Sequence, residues 1–188
     1  MKKYSSKRVV QLLAHILKEY GISDIVISPG SRNAPLSIHF AEEDFFNCYS
    51  IVDERSAAFV GMGMAIANNK PAVISCTSGS AVANYYPAIT EAYYSNRPLL
   101  VISADRPLDY IDVFDGQTIR QNNIFNQHSY GDFQLLEDDN ENAEFVNRET
   151  IKKAVELCIE KQGPVHINIP LSEPLYDLTM EIPTFQSV

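Results

Sequence analysis

The sequence predicts an α/β protein, a three-layer, doubly wound parallel sheet. Three observations carry this expectation. Short strand-like runs alternate with helical patterns along most of the 188 residues. Several of those runs are apolar without alternation, as in strands buried on both faces of a sheet. The length suits one domain able to enclose a full core.

The elements follow in order. Val9, Leu12, Leu13, Ile16, Leu17 and Tyr20 recur at helical spacing; Ser5 or Ser6 can cap that helix and Gly21 stops it. Asp24-Ile-Val-Ile-Ser28 reads as a strand ending at Pro29-Gly30. A helix is expected from about Asn33 to Glu43, a strand from Phe46 to Val52, and an Ala-, Gly- and Met-rich helix from Glu54 to Asn68. Pro71 to Cys76 reads as a strand, Ser80 to Tyr94 as a helix, and Pro98 to Ser103 as a continuous apolar strand. Beyond Arg106 the pattern weakens. A short helix is expected within Gln117 to Phe125, and a solvated loop over the acidic, Asn-rich stretch from Leu136 to Glu149. Thr150 to Gln162 returns as a helix, ended by Gly163-Pro164, and Val165 to Ile169 is the last expected strand. The domain is expected to span 1–176, with 177–188 starting an interdomain linker.

Composition narrows the function. The formal net charge is −9, which argues against nucleic acid or an anionic membrane as partner, since both call for a basic face. The N-terminal lysines precede no unbroken apolar stretch, and no run approaches the length of a membrane span. Cys48, Cys76 and Cys158 are odd in number, far apart and in apolar contexts, which suits reduced cysteines in a cytoplasmic protein. The four histidines have no second ligand at zinc spacing. Gly61-Met-Gly63 lies inside a helical pattern and is no dinucleotide fingerprint.

In a doubly wound sheet, ligands bind outside the carboxyl ends of the strands. Four segments fall there: Ser28-Pro-Gly-Ser-Arg-Asn33, Asp53-Glu54-Arg55, Thr77-Ser-Gly-Ser80 and Ala104-Asp-Arg-Pro107. Together they bring a carboxylate, two or three guanidiniums, small hydroxyls and glycines to one crevice. Taken singly, each has a plainer reading. Gly30 and Gly79 also suit turns, Arg32 and Arg106 also suit surface ion pairs, and Glu54 also suits the first turn of a helix, where it complements the dipole. Their convergence favours a site, with the arginines suited to carboxylates or phosphates.

The segments SPGSRNAPL, VDERSAAFVGMGMA, TSGSAVANYYPAITEAYYSNRPLLVISADRP and GQTIRQ resemble, in order and spacing, the N-terminal domain of the 2-succinyl-5-enolpyruvyl-6-hydroxy-3-cyclohexene-1-carboxylate synthase family of thiamine-diphosphate enzymes. The resemblance runs from about residue 5 to about residue 176. SPGSR and ADRP are specific to this branch, whereas the acid-then-helix and TSG pieces are general to thiamine-diphosphate enzymes. Where the family often has Pro-Gly after its Ile-x-Gln segment, this chain has Asn122-Asn123.

The resemblance implies the pyrimidine-binding (Pyr) domain fold and a decarboxylating union of 2-oxoglutarate with isochorismate in menaquinone biosynthesis, with thiamine diphosphate and a divalent metal, Mg2+ or manganese. It implies Glu54 as the catalytic acid, hydrogen-bonded to the aminopyrimidine ring of the cofactor. It places Pro29, Thr77, Ser78 and Gly79 beside that ring, where small side chains leave room, and Ser31, Arg32, Arg106 and Gln117 on substrate. It further implies a homodimer or higher homo-oligomer, with cofactor between subunits. The metal and diphosphate would lie on a second domain bearing Gly-Asp-Gly…Asn; no such motif occurs in this chain, which reads as part of a longer enzyme and inactive alone. Two other readings stand beside this one: an acetolactate-synthase or decarboxylase type of thiamine enzyme, and a noncatalytic anion-binding assembly module.

Overall fold

Six parallel strands form the central sheet: β2 (Asp24–Ile27), β3 (Asn47–Ser50), β4 (Ala72–Cys76), β5 (Leu99–Asp105), β6 (Asp132–Gln134) and β7 (Val165–Pro170). Their order is β3-β2-β4-β5-β7-β6, and every pairing is parallel. The structure, a computed structural model, describes residues 2–187; Met1 and Val188, the outermost residues of the expected domain and linker, lie outside the described residues.

Alternation along the strands sorts side chains onto two faces. Leu100, Ile102 and Ala104 of β5 join Ile25, Val73, Val165 and Ile167 in one core, packed under α1 (Arg8–Glu19), α2 (Ala34–Glu42) and α6 (Glu141–Lys161). Leu99 and Val101 join Val26, Ile74 and Cys76 in the other, under α3 (Glu54–Asn68), α4 (Ser80–Asn84) and α5 (Tyr86–Tyr94). The three-layer, doubly wound α/β architecture expected from the sequence is the one observed.

Local differences have physical causes. Much of the expected 136–149 loop is helix, because α6 starts at Glu141. The Asn140 side chain accepts from the Ala143 amide at 2.9 Å, and Glu141 and Glu144 complement the dipole in the first turn. The expected helix over 80–94 breaks at Tyr85. Pro87 has no N–H with which to continue the ladder, and the fully buried Tyr85 anchors the break. No helix forms within 117–125; Gln117 and Asn123 both take positive φ (60°), which a helix does not accommodate. The short edge strand β6 and a 3-10 turn at Leu108–Tyr110 were not expected.

The stretch beyond β7 stays on the body of the protein. Leu171, Leu175 and Phe185 are buried. Within it, β8 (Leu178–Thr179) pairs antiparallel with β1 (Tyr4–Ser5).

Candidate functional site

The chain runs from β2 to the edge strand β3, then returns across β2 to β4. This reversal of direction opens a crevice at the carboxyl ends of β2 and β4. The two strand ends touch there. A Cβ added to Gly30 would stand 2.4 Å from Thr77 Cβ, so only glycine permits the approach.

Glu54 occupies the first position of α3, just after β3. Its neighbour Asp53 caps the helix by accepting from the Ser56 amide at 2.8 Å. The helix start is therefore already capped, and the half-buried Glu54 makes no hydrogen bond or ion pair among the described residues. Its charge acts on two buried groups across the crevice, the Cys76 thiol and the Tyr85 hydroxyl, both raised chiefly by burial.

Thr77, Ser78 and Gly79 form a buried turn after β4. Gly79 adopts φ 81°, ψ −143°. The room its missing side chain leaves is filled within the chain, since a Cβ there would lie 2.8 Å from the Gln117 carbonyl oxygen. The Ser78 hydroxyl donates to that same carbonyl at 3.0 Å. Gln117 thus joins the crevice through its backbone, while its residue as a whole is exposed, as are Pro29 and Ser31.

A second group lies beyond β5 and β7. Arg32, 6% exposed, donates from Nη1 to the Leu171 carbonyl at 2.6 Å and pairs through Nη2 with Glu173 at 3.1 Å. Arg106 donates to the Gly116 carbonyl at 3.0 Å and faces Asp115 at 3.6 Å. Burial, followed by the charge of Arg106, lowers the pKa of the Arg32 guanidinium. Both arginines line a recess of about 350 Å³ with Pro107, Tyr110, Ser172 and Glu173. Ser172 is held in turn by Glu137, which accepts from its amide and hydroxyl. The backbone at Gly116 and Gln117 connects the recess to the Thr77–Gly79 turn. Arg55 is exposed on α3 and lines neither place.

The family model for the N-terminal TPP-binding domain of thiamine pyrophosphate enzymes matches residues 7–130. The chain belongs to that family. Among curated proteins it is 52% identical over 179 residues to the 2-succinyl-5-enolpyruvyl-6-hydroxy-3-cyclohexene-1-carboxylate synthase of Flavobacterium johnsoniae, an alignment covering 95% of this chain and 32% of that protein. It is 47% identical over 194 residues to the synthase of the same name from Christiangramia forsetii (96% and 34%), and 43% identical over 179 residues to that of Bacteroides fragilis (95% and 32%). The chain spans about a third of the length of these relatives.

Three features of the site escaped the sequence reading. Glu137 lies in the stretch expected to be a solvated loop, and Ser172 and Glu173 lie just past the last expected strand. Gln121 carried no mark of its own beyond its place in GQTIRQ. The third feature is a contact in Ser-His-Asp order: Ser103 Oγ meets His166 Nε2 at 2.7 Å, and His166 Nδ1 meets Asp132 at 2.8 Å. Ser103 and His166 are fully buried, so no substrate reaches this hydroxyl; the contacts tie β5, β7 and β6 together. Among the described residues, no group of three His, Cys, Asp or Glu is placed to hold a metal ion. No described helix is long and apolar enough to cross a membrane.

Proposed function

We propose that this chain is the aminopyrimidine-binding part of a cytoplasmic, homodimeric 2-succinyl-5-enolpyruvyl-6-hydroxy-3-cyclohexene-1-carboxylate synthase acting on 2-oxoglutarate and isochorismate in menaquinone biosynthesis. The name its relatives share and their identity to nearly the whole chain support the reading. The observation that carries it is Glu54, a half-buried carboxyl without a partner among the described residues, at the reversal of strand order.

Thiamine diphosphate, when bound, supplies a carbon nucleophile that adds to a keto acid and then stores the electron pair left by departing CO2. The Glu54 carboxyl, unpaired among the described residues, fits that cofactor: it is available to hydrogen-bond a nitrogen of the aminopyrimidine ring. Pro29 and the Thr77–Gly79 turn would border the ring. Arg32 and Arg106, with Ser31 and Gln117 nearby, suit carboxylates and hydroxyls of two acidic substrates, because guanidiniums bind carboxylates through paired, charge-assisted hydrogen bonds. Glu173 occupies one donor of Arg32, and an incoming carboxylate would displace it. The diphosphate and Mg2+ would be held by another part of the assembly.

Glu54→Gln tests the reading in the assembled enzyme. The variant keeps the shape of the side chain and removes its acid. Exchange of the thiazolium proton with deuterated water, followed by NMR, should slow by at least about a hundredfold, the lower range for a positioned acid–base group. Exchange at the wild-type rate would sink the assignment of Glu54.

A further inference from the structure

Gln121 lies behind the crevice and is 1% exposed. Its side chain is fully engaged. Oε1 accepts from the Gly79 amide at 2.8 Å. Nε2 contacts Asn168 Oδ1 at 2.9 Å, the Ala104 carbonyl at 3.2 Å and Ser103 Oγ at 3.3 Å. One amide thus ties the turn after β4 to the ends of β5 and β7. Among the described residues the Gly79 amide has no backbone acceptor, so the Gln121 side chain is its partner. Residues 117 and 121 grip the turn from two sides, the first through its carbonyl and the second through its side chain.

We infer that Gln121 is a positioning residue that fixes the Thr77–Gly79 turn against which the aminopyrimidine ring lies. The inference rests on the cofactor reading above. Gln121 touches neither cofactor nor substrate; it acts through the Gly79 amide. Removing its acceptor leaves a buried N–H unsatisfied, and the turn then relaxes toward other conformations open to glycine. A ring that needs the turn in one place binds only the fraction of molecules that keep it there.

The test uses the assembled, isotope-labelled enzyme and thiamine as the probe, at millimolar concentration. Three variants are compared with wild type. Gln121→Met removes the polar group, Gln121→Asn keeps an amide but draws it back from Gly79, and Val155→Ala is a control that loosens the opposite face of the sheet. In Gln121→Met, the Gly79 amide should exchange with solvent about tenfold faster, the factor set by one net hydrogen bond. Thiamine-induced shifts at residues 77–79 should need about tenfold more probe. Val155→Ala should change neither beyond its effect on global stability, which a purely structural role for Gln121 would also mimic. Gln121→Asn should follow Gln121→Met, and carries the test if the Met variant does not fold. Unchanged Gly79 exchange in both Gln121 variants overturns the inference, and so does thiamine binding equal to wild type. Wild-type 77–79 amides that ignore thiamine would overturn the cofactor reading instead; faster Gly79 exchange would then still identify Gln121 as what holds the turn.

Discussion

Asn168 offers the sharpest test of the buried polar chain behind the site. Its Oδ1 accepts from Ser103 and Gln121, and its Nδ2 donates to Asp105 at 2.7 Å. Asn168→Leu fills a similar volume and removes all three bonds. Ser103 keeps its contact with His166, and Gln121 keeps Gly79 and Ala104. Asp105 Oδ2 is the atom left without a donor. Asp105 is 2% exposed, so the loss is that of a buried bond to a charged acceptor, about 1.5–3 kcal/mol. The loss should depend on pH. Burial holds the Asp105 carboxyl above its ordinary pKa, while the bond from Asn168 pulls it back down. A folded pKa above the unfolded one means that the native state binds more protons, so stability falls as pH rises through that window. Removing Asn168 raises the folded pKa further and extends the window upward. Urea unfolding of both proteins between pH 4.5 and 7.5 should show a gap that widens as pH rises. A gap independent of pH, or below about 0.5 kcal/mol throughout, would refute the reasoning.

Two further outcomes follow from single residues. Burial lowers the His39 pKa to about 4. This depressed value means that stability present above the unfolded pKa of about 6.5 is lost as pH falls toward 4, at about 1.4 kcal/mol per unit; His39→Leu should flatten that part of the pH–stability curve, and an unchanged slope would assign it elsewhere. Gly30→Ala sets a methyl 2.4 Å from Thr77 Cβ, so it should cost about 1–3 kcal/mol by overpacking; an unaltered melting temperature in calorimetry would show that β2 and β4 ends can part freely.

Legibility varied with the range of the forces involved. The helix from Glu54 to Asn68 matches its expected limits, because its capping Asp53 and small apolar residues are local signals. Strand ends placed Arg32 and Arg106 correctly beside each other, since alternation alone sets which edge they share. β6 was missed because Asp132-Phe-Gln134 is strand only by virtue of its pairing with β7, a partner more than thirty residues away. The start of α6 was misjudged for another reason. By composition Asn140, Glu141 and Glu144 suit a solvated loop, yet the same residues serve as a capping side chain and a dipole-complementing first turn. Glu173 and Ser172 belong to the arginine recess through contacts that span more than a hundred residues from Arg32, and no spacing rule links such positions.

The β1–β8 ribbon has a mechanical consequence. Tyr4 pairs with Thr179 and Ser5 with Leu178, so the outermost residues of the two short strands face each other at the same end of the ribbon. Tension applied to the chain through both ends would open these pairs one after the other, as a zip, and would not shear them together. The load needed to part four residues in this way is small beside that needed to slide β5 past β7, which are paired from Leu100 to Asp105. The ribbon therefore acts as a fuse. Once Phe185 is drawn from the core, the ribbon yields before the six-stranded sheet, and the crevice at the strand ends stays closed.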